Sequence, residues 1–259
     1  MERFILIETS TALCSTALAE DGVVTAYRES SAPKAHASLT AVFIREMLEE
    51  RGLTLAYCDA VCVSMGPGSY TGLRVGVSTA KGLCFGSGKP LLAVGTLDTL
   101  VAQASADHQN VIPGQNVIPS QDVIPDQNVI PDQDVIPGLT GDPRFIIPMI
   151  DARRMEVYAA VFTSDGVQIK ETAPVIVDES SFAEYLAQGP CLFIGDGAGK
   201  CADVIKHPDA HFCQCHPKAS SMLSPALKAF RKGDFKDVAY FEPFYLKEFV
   251  ATVSKKKLF

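Results

Sequence analysis

The sequence lacks any apolar run approaching the ~20 residues that a membrane-spanning helix needs. Charges at Glu2 and Arg3 also precede any long apolar stretch, so neither a membrane span nor a secretory signal peptide is expected. Positive charge is scarce, because 23 Lys and Arg stand against 30 Asp and Glu, which gives a net charge of −7. Since nucleic-acid phosphates must be neutralised by cations, this acidic chain is not expected to bind RNA by itself. The only basic run, residues 255–257, is interpreted as a solvated tail.

Paired Cys-x-x-Cys motifs are absent as well, although the chain has eight cysteines. Most of them lie within apolar runs, which predicts buried, reduced thiols in a cytoplasmic protein. Residues 207–216 contain five possible metal ligands, namely His207, His211, Cys213, Cys215 and His216. Their spacing fits no closed tetrahedral zinc site and places no glutamate base beside the histidines, so a zinc peptidase is the weakest hypothesis.

Alternating strands and helices organise the chain into two similar halves. Three consecutive strands and then alternating helices and strands are predicted over residues 1–106, and a similar plan recurs over residues 144–259. Between them, residues 109–138 form five tandem hexapeptides with proline at every sixth position. Because proline blocks helices and central strands, residues 107–143 are predicted to be a disordered insertion without a chemical role. The repeated plan predicts two α/β lobes.

Residues 64–88 hold seven glycines directly after a short apolar strand, and this stretch is the most informative part of the sequence. A glycine-dense turn between a strand and a helix lets the backbone approach a phosphate or another helix closely. The stretch lacks the Gly-Lys-Ser/Thr ending of a phosphate loop. Gly66 and Gly68 could still present backbone N–H groups to an anion at the start of the helix.

A row of small residues, Gly72, Gly76 and Ala80, recurs at every fourth position of the helix predicted over residues 70–85. Such a row lies on one face of the helix and allows another backbone to come close. Each helical glycine costs about 1 kcal/mol relative to alanine, so a close contact must compensate for both. We therefore favour packing against a second helix over phosphate binding. The spacing leaves open whether that helix belongs to this chain or to another.

Two polar segments are further candidates. Glu8, Thr9 and Ser10 end the first predicted strand, where a carboxylate and two hydroxyls suit either a metal-bound phosphate or an ordinary polar strand end. Residues 151–158, DARRMEVY, gather acidic, basic and aromatic groups around the entry to a strand. They suit a binding site or an ion-pair network that fixes a hairpin, and the network is the more common of the two.

Five segments together resemble the bacterial TsaB (YeaZ) family, and the resemblance covers almost the whole chain apart from the hexapeptides. The segments are MGPGSYTGLRVG at 65–76, KGL at 81–83, VGTL at 94–97, DARRMEVY at 151–158 and EPFYLK at 242–247. The resemblance implies an α/β fold made of two ribonuclease-H-like lobes of the actin/Hsp70-like ATPase superfamily.

The function implied by this resemblance is that of a non-catalytic partner subunit in the cytoplasm. Such proteins bind and activate a TsaD-like catalytic subunit and work with a TsaE-like ATPase. Together they transfer threonylcarbamoyl to the tRNA adenosine next to the anticodon. The chain alone would then bind no cofactor, ATP and Mg²⁺ would act at the level of the complex, and tRNA would be reached only through the complex. A homodimer through the same surface is also implied.

The residues expected at the partner interface lie on the two predicted helices around residues 39–48 and 70–85. They are Leu39, Phe43, Met47, Tyr70, Gly72, Leu73, Gly76 and Ala80. On this hypothesis, Gly76→Leu abolishes partner binding while the fold survives.

Two departures from catalytic relatives support an accessory role. TsaD-like relatives hold a metal with a His-x-x-x-His pair on a helix, and the matching helix here, residues 96–106, has no histidine. Glu8 stands where the superfamily usually has aspartate, so the resemblance implies a displaced phosphate contact. The rival hypothesis is an ATPase or phosphotransferase acting on its own, with Glu8, Thr9, Ser10 and the Gly66–Gly68 loop contacting the nucleotide.

Overall fold

The structure is a computed structural model, and it describes residues 1–108 and 142–246. The predicted hexapeptide insertion and the basic run at residues 255–257 lie outside the described residues.

The first sheet has five strands in the order β3-β2-β1-β4-β5. β1, β2 and β3 pair in antiparallel fashion, whereas β4 runs parallel to β1 and β5 parallel to β4. All residues of β4 and β5 are buried, as expected for parallel strands that are covered on both faces. The strands are β1 (Arg3–Glu8), β2 (Cys14–Glu20), β3 (Val23–Ser30), β4 (Ala60–Ser64) and β5 (Leu91–Val94).

The second sheet repeats this arrangement with the order β8-β7-β6-β9-β10. β6, β7 and β8 are antiparallel neighbours, and β9 and β10 continue the sheet in parallel on the other side of β6. The predicted fold class, two copies of one α/β plan, is therefore confirmed. The strands are β6 (Phe145–Asp151), β7 (Glu156–Thr163), β8 (Gln168–Ile176), β9 (Cys191–Ile194) and β10 (Ala210–Cys213).

Two long helices, α1 (Ala35–Glu50) and α2 (Tyr70–Ser87), cover one face of the first sheet. α1 buries its apolar stripe, which includes Phe43 and Met47, and α2 buries its row of small residues. The hydroxyl of Ser69 caps α2 by accepting a hydrogen bond from the N–H of Gly72 at 3.2 Å.

Helices α3 (Thr96–His108) and α6 (Leu223–Lys232) each pack against the sheet of the other half of the chain. Helix α3 follows the first sheet in sequence but buries Leu97 and Leu100 against the second sheet. Conversely, the 3₁₀ turn Ala219–Met222 and helix α6 pack against β1 of the first sheet. The sequence boundaries near residues 106 and 144 therefore do not separate the packed units, because alternating patterns reveal an element but not the sheet that buries it.

The second half also contains two short helices, α4 (Ala183–Leu186) and α5 (Ala198–Ala202). The five residues of α5 are too few for a helical pattern to show in the sequence.

Candidate functional site

Glu8 lies at the carboxyl end of β1, wholly buried beneath polar neighbours. Its Oε1 accepts hydrogen bonds from the N–H of Ser10 at 2.7 Å and from the hydroxyl of Ser64, at the end of β4, at 2.9 Å. Burial of the carboxyl, only partly offset by these bonds, raises its pKa to about 7. This end of the sheet is where open α/β folds usually bind ligands.

The polar groups around Glu8 are only partly satisfied. Among the described residues, Oε2 of Glu8 and the buried hydroxyls of Thr9, Ser10 and Thr96 have no hydrogen-bond partner. An unpaired, buried carboxylate oxygen penalises the charged form, which agrees in direction with the raised pKa.

The glycines of α2 pack against the turn that joins β1 to β2. A Cβ atom on Gly68 would collide with the carbonyl oxygen of Ser10, and one on Gly72 would collide with the carbonyl oxygen of Thr9. A Cβ atom on Gly76 would collide with the hydroxyl of Thr9. The row therefore serves close packing, as predicted, but its neighbour is a turn of this chain and not a second helix.

The predicted phosphate contacts converge without leaving room for a phosphate. Glu8, Thr9 and Ser10 do meet the loop that contains Gly66 and Gly68, and the N–H of Ser69 donates to the carbonyl oxygen of Ser10 at 2.6 Å. A phosphate would have to displace the backbone of this loop. The nucleotide that the superfamily implies therefore does not fit between these residues.

Most of the predicted interface residues are buried inside this chain. They are Phe43, Met47, Gly72, Leu73, Gly76 and Ala80, whereas Leu39 and Tyr70 are half-buried. The expectation that Gly76→Leu would leave the fold intact is revised, because the new side chain would collide with Thr9. The spacing of four correctly marked one helix face, but that face points toward the sheet.

The opposite face of α2 is the one open to solvent. Thr71, Arg74 and Ser78 are exposed along it, and Phe85 continues the row with 86% of its surface accessible. With Ala37 of α1, the first part of this face lines a groove of about 460 Å³. The residues were missed, although their spacing of three, four and seven could have marked them as a second stripe on the helix.

The EPFYLK segment, in its described part, holds the start of α2 in place. The rings of Tyr245 and Tyr70 lie 4.9 Å apart, and the Arg74 guanidinium lies 4.8 Å from the centre of the Tyr70 ring. The N–H of Phe244 donates to the carbonyl oxygen of Met65 at 2.7 Å. Lys81 reinforces the same contact by donating to backbone carbonyls near residue 240.

A second polar cluster fixes the turn between β6 and β7. The Lys200 ammonium donates to Oδ1 of Asp151 at 2.6 Å and to the carbonyl oxygens of Arg154 and Glu156 at 2.8 and 2.7 Å. Oδ1 of Asp196 accepts from the N–H of Asp151 at 2.9 Å, and burial raises the pKa of Asp196 to about 6. This geometry supports the ion-pair interpretation of residues 151–158, with Lys200 as the partner that the sequence did not reveal.

Metal and membrane features were also sought in the described part of the chain. Within residues 1–108 and 142–246, no three His, Cys, Asp or Glu side chains are grouped so that they could hold a metal ion. Over the same residues, none of the helices has the length and apolar character of a membrane span.

Solved structures and family models define the class of protein. The fold matches "YeaZ from Pseudomonas aeruginosa" with a TM-score of 0.72 and 24% identity, covering 95% of this chain and 100% of that one. A second P. aeruginosa structure, with similarity to peptidase YEAZ, gives a TM-score of 0.74 at 24% identity. A family model described as TsaD, tRNA N6-adenosine threonylcarbamoyltransferase, matches residues 24–120. The fold is thus that of the YeaZ structures, with two five-stranded mixed sheets of equivalent strand order.

Curated relatives narrow this class. The tRNA threonylcarbamoyladenosine biosynthesis protein TsaB of Escherichia coli strain K12 is 28% identical over 256 residues, which cover 96% of each chain. The protein of the same name from Haemophilus influenzae is 37% identical over 105 residues, covering 40% of this chain and 44% of that one. The chain is therefore similar over almost its whole length to a curated TsaB protein, as it is in fold to the YeaZ structures.

We predict that Gly72→Ala destabilises the protein, by about 3 kcal/mol, because its Cβ would collide with the carbonyl oxygen of Thr9. Gly82→Ala in the same helix is the matched control, since a Cβ there has no atom within 4 Å. The control should stabilise the protein by about 0.5 to 1 kcal/mol through helix propensity. Urea unfolding measures both changes, and equal effects of the two substitutions would contradict the proposed packing.

We also predict that Glu8 makes stability fall as the pH rises. The folded-state pKa of about 7 lies above the ordinary glutamate value of 4.5, which applies to the unfolded chain. Below pH ~4.5 both states are protonated and there is no penalty, whereas between about pH 4.5 and 7 the unfolded state loses its proton first and is favoured. The penalty then stays near its maximum of about 3 kcal/mol at higher pH.

The Glu8→Gln variant should lack this contribution. Its unfolding free energy, relative to wild type, should therefore rise between pH 4 and pH 8 when measured by urea unfolding. Glu171→Gln, at an exposed carboxyl, is the control and should follow the wild-type curve. A Glu8→Gln protein with the wild-type pH dependence would show that folding does not shift the pKa of Glu8.

Proposed function

We propose that this chain is an accessory subunit without catalytic activity, which binds and activates a TsaD-like threonylcarbamoyltransferase. The pathway is tRNA threonylcarbamoyladenosine biosynthesis, which both curated relatives carry in their names. The absence of catalysis is supported by the strand-end site around Glu8, where backbone occupies the space between the loop and the carboxylate. Catalysis would then belong to the transferase.

The observation that carries the proposal is the open outer face of α2. Thr71, Ser78 and Gly82 are small or short residues that let another helix approach closely. Phe85, almost fully exposed at the end of this face, is the type of side chain that fills a pocket on a partner. No contact within the described residues covers this face, whereas the buried face of the same helix already packs against the sheet.

The transferase itself is the partner that this surface suits. The transferase family model matches residues 24–120, and this region contains both α1 and α2. A TsaD-like partner would therefore present two equivalent helices. The helix pair of this chain and the helix pair of the transferase can then pack around a pseudo-two-fold axis, as in an isologous dimer.

The same geometry would allow a homodimer when the transferase is absent. A TsaE-like ATPase would join the assembly, with ATP and Mg²⁺ acting at that level.

Substitution of Ser78 tests this surface. Ser78→Arg should weaken binding to the transferase of the same organism by about tenfold or more, because it would bury a charge without a partner. The control is Ser224→Arg, the same change at an exposed position of α6. Isothermal titration calorimetry measures the affinity and thermal melting checks the fold. A stable Ser78→Arg protein with wild-type affinity would overturn the proposed interface.

An ATPase or phosphotransferase acting alone is the second candidate. It is favoured by the meeting of Glu8, Thr9 and Ser10 with the Gly66–Gly68 loop at the carboxyl ends of parallel strands. The close packing of this loop opposes it.

For the isolated chain, we expect no saturable binding of Mg-ATP in calorimetry and no turnover in a phosphate-release assay. Saturable binding that Glu8→Ala removes would favour this enzyme over the accessory subunit.

A further inference from the structure

The turn after the central strand is buried in the first lobe and exposed in the second. The β1–β2 turn and the β6–β7 turn both follow the central strand from which their sheets extend in the same order. In the first lobe, α2 packs its glycines onto the turn and buries Thr9 and Ser10. In the second lobe the corresponding turn carries Arg153 and Arg154, and both residues are exposed.

The backbone of this open turn is unusual. Arg153 has φ 71° and Arg154 has φ 50°, so two consecutive residues with bulky side chains adopt the left-handed conformation. Such a conformation costs free energy and needs support from its surroundings. Lys200 provides that support, because its three hydrogen bonds tie α5 to Asp151 and to the carbonyl oxygens on both sides of the turn.

The same contacts leave the two arginines without a counter-charge. Asp151, the nearest acid in sequence, is occupied by the Lys200 ammonium at 2.6 Å and by the N–H of Arg153 at 2.6 Å. Asp196 is turned toward the N–H of Asp151. Within the described residues, no ion pair involves the guanidinium of Arg153 or Arg154. The turn therefore presents two exposed guanidinium groups, without an ion-pair partner among the described residues, at the carboxyl end of β6.

We infer that Arg153 and Arg154 bind backbone phosphates of the tRNA while the chain is part of the transferase complex. Guanidinium groups bind phosphate oxygens in a bidentate manner and stay charged at every physiological pH. Contacts of this kind position a nucleic acid without reading its sequence. In a chain of net charge −7, a local pair of free cations is the means by which RNA could be held at one place.

This inference rests on the proposed function, since that function brings tRNA to the complex. An acidic segment of a protein would satisfy the same guanidinium groups. RNA is favoured because the pathway named for both relatives acts on tRNA.

The test uses the complex of the full chain with the transferase of the same organism. The probe is a labelled transcript of a tRNA that reads codons starting with A, and fluorescence anisotropy gives its affinity at several salt concentrations. The variant is the double substitution Arg153→Asn and Arg154→Asn, because asparagine tolerates the left-handed backbone. The control is Lys228→Gln with Lys232→Gln, which removes the same charge from exposed positions of α6.

The arginine variant should bind the tRNA about tenfold more weakly near 0.1 M salt. The slope of log affinity against log salt concentration should also be shallower, by about the amount expected for the loss of one to two phosphate contacts. The lysine control should keep the wild-type affinity, and both variants should keep the affinity for the transferase. Unchanged tRNA binding by the arginine variant overturns the inference, and so does an equal loss in the lysine control.

Two further outcomes separate this inference from the proposed function. If the arginine variant loses affinity for the transferase but not for tRNA, the arginines contact protein and the RNA site is wrong. If wild-type chain and transferase do not assemble, the proposed function fails and the inference, which rests on it, fails with it. Unchanged tRNA binding by the arginine variant in an assembled complex overturns the inference alone.

Discussion

The contact between the glycine face of α2 and the β1–β2 turn is the constraint on which the rest of the first lobe depends. It brings two backbones so close that no side chain fits at Gly68, Gly72 or Gly76. It also closes the strand end above Glu8, and burial raises the pKa of that carboxyl to about 7. The strand end around Glu8 is therefore filled by the chain's own backbone.

Burial of one face of α2 leaves the opposite face of the same helix exposed. Because the small-residue face of α2 is buried against the sheet and the β1–β2 turn, its outer face, from Thr71 to Phe85, is the one exposed to solvent. The described part of the carboxyl-terminal segment keeps that face in place, since the tilted ring of Tyr245 packs against Tyr70 at the start of the helix. The second lobe shows the alternative, in which the equivalent turn is left open and is supported from the side by Lys200.

Sequence patterns were sufficient to predict most helices and strands, but they were insufficient to predict what packs against each of them. Alternation and helical periodicity predicted the strands of both sheets and the helices α1, α2 and α3, because each pattern is a local property. The spacing of Gly72, Gly76 and Ala80 gave the correct face but the wrong neighbour, since spacing contains no information on what packs there. Lys200 lies 49 residues beyond Asp151, so no local pattern connects the two.

The exchange of helices between the lobes determines the order in which this protein can become compact during synthesis. The face of the first sheet formed by Phe4 and Leu6 is covered by Met222 and Ala226. The hydroxyl of Ser15 also accepts the N–H of Ala219 at 2.9 Å. At roughly 5 to 20 residues per second, the ribosome needs about 7 to 26 seconds to extend the chain from Val94, the end of β5, to Ala226. Throughout that interval, the nascent amino-terminal half carries an apolar sheet face in water, and a chaperone would have its best opportunity to bind there.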